Sequence, residues 1–182
     1  MMPVALSLVL LVIAVILTAW ATFTLTRLDR LHARVDAAFA ALDAQLVRRA
    51  AALLRGVESV ASGGSVVEGP LRQQLDLCMS AATAALHADP GSREPVENDV
   101  GRAMAGLAEY TDLVGGAEAN ELHEAGVRLV IARRFYNDAV RDTRALRRRR
   151  MTRILRLAGH RELPQFFDID DVVSFPGGRP VS

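Results

Sequence analysis

Residues 4–25 read VALSLVLLVIAVILTAWATFTL, and this stretch decides the fold because it contains no charged side chain. The first charge in the chain is that of Arg27. A helix needs roughly 20 predominantly apolar residues to cross the hydrocarbon core of a bilayer. Aromatic rings such as those of Trp20 and Phe23 favour the membrane interface. We therefore expect residues 1–26 to form a single-pass transmembrane anchor that contacts membrane lipid through residues 4–25.

A cleaved signal peptide is the alternative to this anchor. Ala19-Trp20-Ala21 has the small-x-small pattern of a cleavage site. Signal peptides normally begin with a basic region, however, and their apolar stretch is only about 7–15 residues long. No basic residue precedes this stretch, which favours an anchor that stays on the protein.

The basic residues next to the apolar stretch indicate its orientation. Arg27, Arg30 and Arg34 follow it closely, and no arginine precedes it. Because basic flanking residues tend to stay in the cytoplasm, we expect the N-terminus to face outward and the soluble domain to be cytoplasmic.

After the anchor, apolar side chains recur at steps of three or four residues. That spacing places them along one face of a single helix, which we expect to continue out of the membrane and to end at Ser62-Gly63-Gly64-Ser65. The residues of this stripe are Leu28, Leu31, Val35, Phe39, Leu42, Leu46, Ala50, Leu53, Val57 and Val60.

Three further helices are predicted by the same spacing. The second runs from Pro70 to Leu86, and the third begins near Pro95 and ends before Gly115. The fourth carries an apolar stripe from Leu122 to Leu146 and can extend to Ala158. Alanine and leucine dominate and only 5% of residues are aromatic, which favours helices over strands.

The predicted fold is therefore all-α. An N-terminal transmembrane helix continues into an antiparallel up-and-down bundle of about four helices, two long and two short. We expect the bundle domain to cover residues 27–162 and an extended C-terminal tail to cover residues 163–182. The pairs Phe166-Phe167 and Val172-Val173 are apolar enough to predict that the tail packs against the bundle.

Three segments resemble the LemA family of bacterial membrane-anchored helical proteins. The most specific is ARRFYNDAVRD at residues 132–142, and the others are residues 35–50 and residues 109–113. The chain departs from the family after Ala50, where an acidic residue and a Pro-Asn pair are usual. The resemblance implies a helical bundle of the coiled-coil type on a single-pass anchor in a bacterial cell membrane, with no established enzymatic activity.

The motif of the fourth helix predicts a clamp between helices. Tyr136 falls on the apolar stripe, and asparagine has poor helix propensity, so Asn137 is expected to make an interhelical hydrogen bond. Helix one offers arginines or backbone groups as partners, and a partner-binding spot is the alternative. The residues of this predicted clamp are Arg133, Arg134, Tyr136, Asn137, Asp138, Arg48 and Arg49.

A basic segment runs from Arg144 to Arg156 and is interleaved with apolar residues. Such a segment can lie on an anionic membrane surface, and an antiparallel bundle returns it to the membrane. A solvated helix end and nucleic-acid binding are the alternatives, and the net charge of +1 argues against nucleic acid. The predicted contacts are Arg147, Arg148, Arg149, Arg150, Arg153 and Arg156.

No pattern of reactive residues predicts catalysis, a metal site or a cofactor. In the acidic segment from Glu118 to Glu124, His123 follows Glu121 by two residues, so the two point to different helix faces. We interpret this segment as an acidic first helical turn, and the lone Cys78 as a small buried residue. The sequence therefore predicts a non-enzymatic interaction or scaffold protein with unknown protein partners, and an uncharacterised hydrolase is the alternative.

Overall fold

The computed structural model describes residues 2–63, 67–148, 162–170 and 175–176. These residues form four α-helices: α1 at Met2–Ser62, α2 at Gly69–Leu86, α3 at Arg93–Leu107 and α4 at Gly116–Arg147. The first and last are long and the middle two are short. The predicted all-α, antiparallel bundle is therefore confirmed.

Helix α1 has 61 residues and no interruption, as the apolar stripe predicts. An 18-residue window near its start has a mean hydropathy of 2.8, and none of that window is buried. By length and composition, α1 is the one helix among the described residues that could cross a membrane.

The chain divides into two compact units. The first consists of residues 1–38 and 137–166. Within it, α1 buries Leu28 and Val35, and α4 buries Val140 and Leu146. Nη1 of Arg34 donates to Oδ2 of Asp142 at 3.1 Å, so these two residues lie at the same level of the two helices in this unit.

The second unit consists of residues 39–136 and 167–182 and contains the main hydrophobic core. Leu53 of α1, Cys78 of α2, Leu107 of α3 and Leu122 of α4 are all fully buried there. The parts of the predicted stripes of α1 and α4 that lie in this unit therefore face its core, and Cys78 is a small buried residue as expected. Phe175, from beyond α4, is also completely buried in this core.

The second helix ends at Leu86 as predicted and begins one residue earlier, at Gly69, whereas the bounds of the third differ from the sequence prediction. Gly69 begins α2 with a φ of 61°, a conformation that only glycine adopts at little cost. The stripe of α2 ends on Ala85, and Leu86 is exposed. α3 ends at Leu107, because Ala108–Leu113 forms a 3₁₀ helix with a non-helical residue inside it.

Candidate functional site

Two charged side chains are buried where α1 meets α3. Nη2 of Arg49 donates to Oε2 of Glu97 at 2.6 Å and to the Glu97 carbonyl oxygen at 2.8 Å. The exposed fractions of the two side chains are 5% and 0%. A buried charge is tolerated only when it is paired and hydrogen-bonded, and here each residue supplies the partner of the other.

A second arginine extends this pair to the end of α2. Nη2 of Arg93 donates to Oδ1 of Asp43 at 2.5 Å, and its Nε lies 3.6 Å from Oε1 of Glu97. Nη1 of Arg93 donates to the carbonyl oxygens of Ala85 and Ala88 at 2.9 and 3.2 Å. Terminal helix carbonyls lack partners and carry partial negative charge, so Arg93 caps α2 while it pairs with carboxylates of α1 and α3.

We call Asp43, Arg49, Arg93 and Glu97 the charge cluster. Its two cations and two anions balance. Burial raises the pKa of the Glu97 carboxyl, and the charge and hydrogen bond of Arg49 offset that rise only in part. The cluster therefore fixes three helices relative to one another, although Nε of Arg49, Nε of Arg93 and Oε1 of Glu97 are buried without a hydrogen bond.

The sequence contains a signal for this cluster that our prediction missed. Arg93 and Glu97 are spaced at i and i+4, and they continue the spacing of the core residues Val100, Met104 and Leu107 of α3. Charged residues at core positions of an apolar stripe indicate a buried pair. The partner arginine of α1 directly precedes the buried Ala50.

The predicted clamp residues occupy several different environments. The ring of Tyr136 is buried and lies 5.6 Å from that of Phe39. Arg49 donates to Glu97, and Arg48 is exposed. The proposed bond from Asn137 to this part of α1 stays a prediction.

The other members of the motif face different partners. Arg133 donates to the carbonyl oxygen of Ile169 at 2.7 Å. Asp138 forms an exposed ion pair with Arg141 at 2.6 Å. Arg134 is exposed. The motif therefore combines a core residue, a contact to the C-terminal tail and solvent-facing charges.

The C-terminal segment lies along α3 and α4 in an extended path. The backbone N–H groups of Asp168 and Asp170 donate to Glu94 and Asn98 of α3, each at 2.9 Å. Nδ1 of His123 in α4 lies 2.8 Å from the carbonyl oxygen of Phe175. The sequence predicted that the tail packs on the bundle but not which residues hold it.

Only the beginning of the predicted basic segment is described. Arg147 donates to the carbonyl oxygen of Glu162 at 2.8 Å, and Arg148 is exposed. Arg144 donates to the carbonyl oxygen of Pro164 and lies 5.1 Å from the centre of the Phe166 ring. The other predicted contacts lie outside the described residues; they are Arg149, Arg150, Arg153 and Arg156.

Acidic side chains at the start of α4 form ion pairs on the surface. Glu121 pairs with Arg55 of α1, and this hydrogen bond lowers the pKa of the Glu121 carboxyl. Glu124 pairs with Arg128 at 2.7 Å. Among the described residues, no group of three or more His, Cys, Asp or Glu side chains is arranged to hold a metal ion.

In comparisons with known proteins, the chain matches no family model, and no curated protein or solved structure matches it significantly.

Proposed function

We propose that this chain is a membrane-anchored, non-enzymatic helical-bundle protein that acts as an interaction or scaffold module. The observation that carries the proposal is the first part of α1. Its large apolar side chains from Val4 to Leu17, and those of Phe23 and Leu25, are exposed, and the same helix continues without a break into the bundle.

Exposure argues against the main alternative for an apolar helix. The central helix of a soluble protein can be equally apolar, but its side chains are buried in the core. Soluble proteins rarely expose a large contiguous apolar patch. In a bilayer, lipid tails would cover the exposed apolar side chains from Leu6 to Leu17. This supports insertion of residues 4–25 into a membrane.

Extraction of the full chain from membranes tests the anchor. We expect it to remain in the membrane pellet after washing at high pH and to leave only with detergent. The intact mass of the extracted chain should include residues 1–21. A soluble chain that begins after Ala21 would instead identify a cleaved signal peptide and refute the anchor.

The non-enzymatic role is supported by how the bundle uses its buried charges. The four residues of the charge cluster pair with one another and with the end of α2, so their charges serve to hold the helices together. The resemblance of residues 132–142 to the LemA family agrees with a scaffold in a bacterial cell membrane.

An exposed apolar face on α4 supports the interaction role. Val127, Ile131 and Phe135 are spaced by four residues, and their exposed fractions are 42%, 50% and 64%. Crosslinking of the full chain in its native membrane should capture proteins through this face. Replacing Phe135 with serine should reduce that capture, and an unchanged pattern would contradict a role for this face.

Orientation follows from the arginines after the span, and we propose a cytoplasmic bundle. Single cysteines at exposed positions such as Asp76 should be labelled by an impermeant maleimide only after the cells are opened. Labelling of intact cells would place the bundle outside. The native Cys78 is fully buried and does not compete for the reagent.

Binding of an anionic lipid surface is the second candidate function. Arg34 and Asp142 lie at the same level in the first unit, so an antiparallel α4 brings Arg147 and Arg148 level with about residue 29 of α1. Leu163 and Phe166 nearby expose 48% and 43% of their surface. Basic and apolar side chains together suit the interface of an anionic membrane.

Flotation of residues 27–182 with vesicles tests this second function. We expect binding that requires anionic lipid and that weakens when Arg148 and Arg149 are replaced by glutamate. Equal flotation with neutral vesicles would contradict the proposed binding to an anionic lipid surface. Stronger, salt-dependent binding to nucleic acid than to vesicles would point to the nucleic-acid alternative.

A further inference from the structure

In the second unit, α1 and α4 run antiparallel, and two contacts show which of their residues lie side by side. Arg55 of α1 pairs with Glu121 of α4 on the surface. Further along the two helices, the rings of Phe39 and Tyr136 lie 5.6 Å apart. Seven residues of a helix make about two turns, or roughly 10 Å. The residues seven positions before Arg55 and seven positions after Glu121 therefore lie at the same level.

Both of the residues at that level are arginines. Arg48 of α1 and Arg128 of α4 are exposed. Arg128 pairs with Glu124 at 2.7 Å, whereas Arg48 has no ion-pair partner in the part of the chain that the structure describes. Two cations and one anion lie together here, so this level of the surface carries an excess of positive charge.

The next level along the two helices is apolar. Phe135 lies seven residues beyond Arg128, and its exposed fraction is 64%. The residue seven positions before Arg48 is Ala41, which is exposed like Ala44. Ile131, one turn from Phe135 on α4, is 50% exposed. Small side chains on α1 thus leave space beside large apolar side chains on α4. We call this region the α1–α4 surface; it consists of Ala41, Ala44, Arg48, Arg128, Ile131 and Phe135.

We propose that the α1–α4 surface binds an amphipathic helix of another protein, which places a carboxylate at Arg48 and Arg128 and a large apolar side chain against Phe135. The inference rests on the proposed interaction role and identifies the chemistry of the partner. The carboxylate follows from charge complementarity, because an acidic partner neutralises the excess positive charge and a basic one is repelled by it.

The distance between the two levels identifies the partner segment as helical. The charged level and the apolar level are two helical turns apart, or about 10 Å. Residues seven positions apart on a partner helix lie on one face with the same separation. In an extended peptide, that separation is about three residues, which puts the two side chains on opposite faces. The partner therefore carries one acidic and one large apolar residue seven positions apart.

Binding of synthetic helices to the full chain, in nanodiscs of neutral lipid, tests this inference. Each peptide is stapled on its far face and carries leucine at one position and glutamate or lysine seven positions later. A second pair has the opposite order, so that both directions of binding are covered. Fluorescence anisotropy of the labelled peptides measures the affinity. We expect one glutamate peptide to bind about ten-fold more tightly than its lysine counterpart, because lysine turns the attraction into repulsion.

The variant Arg48→Glu reverses the charge at this level and should transfer the preference to the lysine peptide. Arg48 is exposed, so the fold should persist, which thermal unfolding by circular dichroism checks. Arg134→Glu is the matched control. Arg134 is also exposed, but it lies one residue before Phe135 and points about 100° away from it around α4. This control should keep the preference for glutamate, and Phe135→Ser should weaken the binding of both peptides.

Three results with these peptides would overturn the inference. They are equal affinity for glutamate and lysine peptides, no binding of any peptide, and a preference for glutamate that survives Arg48→Glu. A covalent dimer that forms through Arg48→Cys, but not through Arg134→Cys, would also overturn it, because the occupant would then be a second copy of the chain.

The same experiments separate this inference from the proposed interaction role. If crosslinking in the native membrane captures proteins through Phe135 while the peptides show no charge preference, the interaction role stands and the acidic helix is wrong. If crosslinking captures no protein and no peptide binds, the interaction role fails together with the inference.

Discussion

Arg49 of α1 and Glu97 of α3 form an ion pair at 2.6 Å, and both side chains are almost completely removed from solvent. Charged partners at this depth are costly to separate, because the remaining charge loses both water and its counter-ion. The pair is therefore a sensitive probe of how α1 and α3 are held together.

Replacing Glu97 with alanine should lower the free energy of unfolding by about 3–5 kcal/mol, since Arg49 would be left buried without a counter-charge. Glu109→Ala is the matched control, because Glu109 is exposed and its loss should be nearly neutral. Thermal and urea denaturation of the detergent-solubilised chain, followed by circular dichroism, measures both. Equal effects at the two positions would contradict the structural role of the pair.

Stability should also depend on the ionisation of Glu97. Burial raises the pKa of this carboxyl in the folded chain, so the folded state holds the proton at pH values where the unfolded state has lost it. The contribution of Glu97 is then largest below the ordinary carboxyl pKa and declines as the pH rises through its raised value.

The Glu97→Gln variant isolates this effect, because glutamine keeps the shape and does not titrate. The free energy of unfolding of the wild type, minus that of the variant, should fall from acid to neutral pH. A difference that is constant, or that grows with pH, would show that the carboxylate form is the favoured one in the fold.

Gly56 marks a close approach of α1 to α4. A Cβ atom at this position would lie 3.0 Å from Cδ1 of Leu122, whose side chain is fully buried. Gly56→Val should therefore destabilise the bundle by about 1–3 kcal/mol through overpacking. Gly63→Ala is the control, since its nearest neighbour would be an ordinary 3.5 Å away. A melting temperature unchanged in Gly56→Val would mean that the helices are not in close contact there.

Phe175 should anchor the C-terminal segment. Its side chain is 0% exposed, whereas that of Phe166 is 43% exposed, so the two phenylalanines form a natural comparison. Phe175→Ala should raise the amide hydrogen exchange of residues 167–170, because the buried ring no longer holds the segment. Phe166→Ala should leave that exchange close to the wild-type value, and a reversed order would contradict the observed packing.

The helices were predictable because their apolar positions are regular. In each unit, buried residues of α1 and α4 fall on the predicted stripes, as Leu28 and Leu146 do in the first and Leu53 and Leu122 in the second. The end of α1 at Ser62 coincides with the glycine that follows it. The end of α3 was predicted too late, because Tyr110 continues the apolar spacing although its backbone, with φ of −113° and ψ of 27°, is not helical.

The site was harder to predict, because its contacts join residues far apart in the chain. Arg49 meets Glu97 and Arg93 meets Asp43 only after α1, α2 and α3 have packed, and apolar periodicity gives no information about which charges pair. The docking of Phe175 depends on a groove formed by two helices. Long-range pairing of this kind requires three-dimensional information that one sequence does not contain.

The central claim is that α1 is one continuous helix from the membrane into the bundle. Its most direct test is a scan of single spin-labelled cysteines from Leu8 to Ala38, in the full chain in lipid nanodiscs, that measures accessibility to oxygen and to a water-soluble nickel complex. We predict that labels from Leu8 to Leu25 are accessible to oxygen. Beyond Arg27, nickel accessibility should follow a helical period with protection at Leu28 and Val35. Nickel-accessible labels between Leu8 and Leu17, or uniformly mobile labels between Thr22 and Leu31, would contradict the claim.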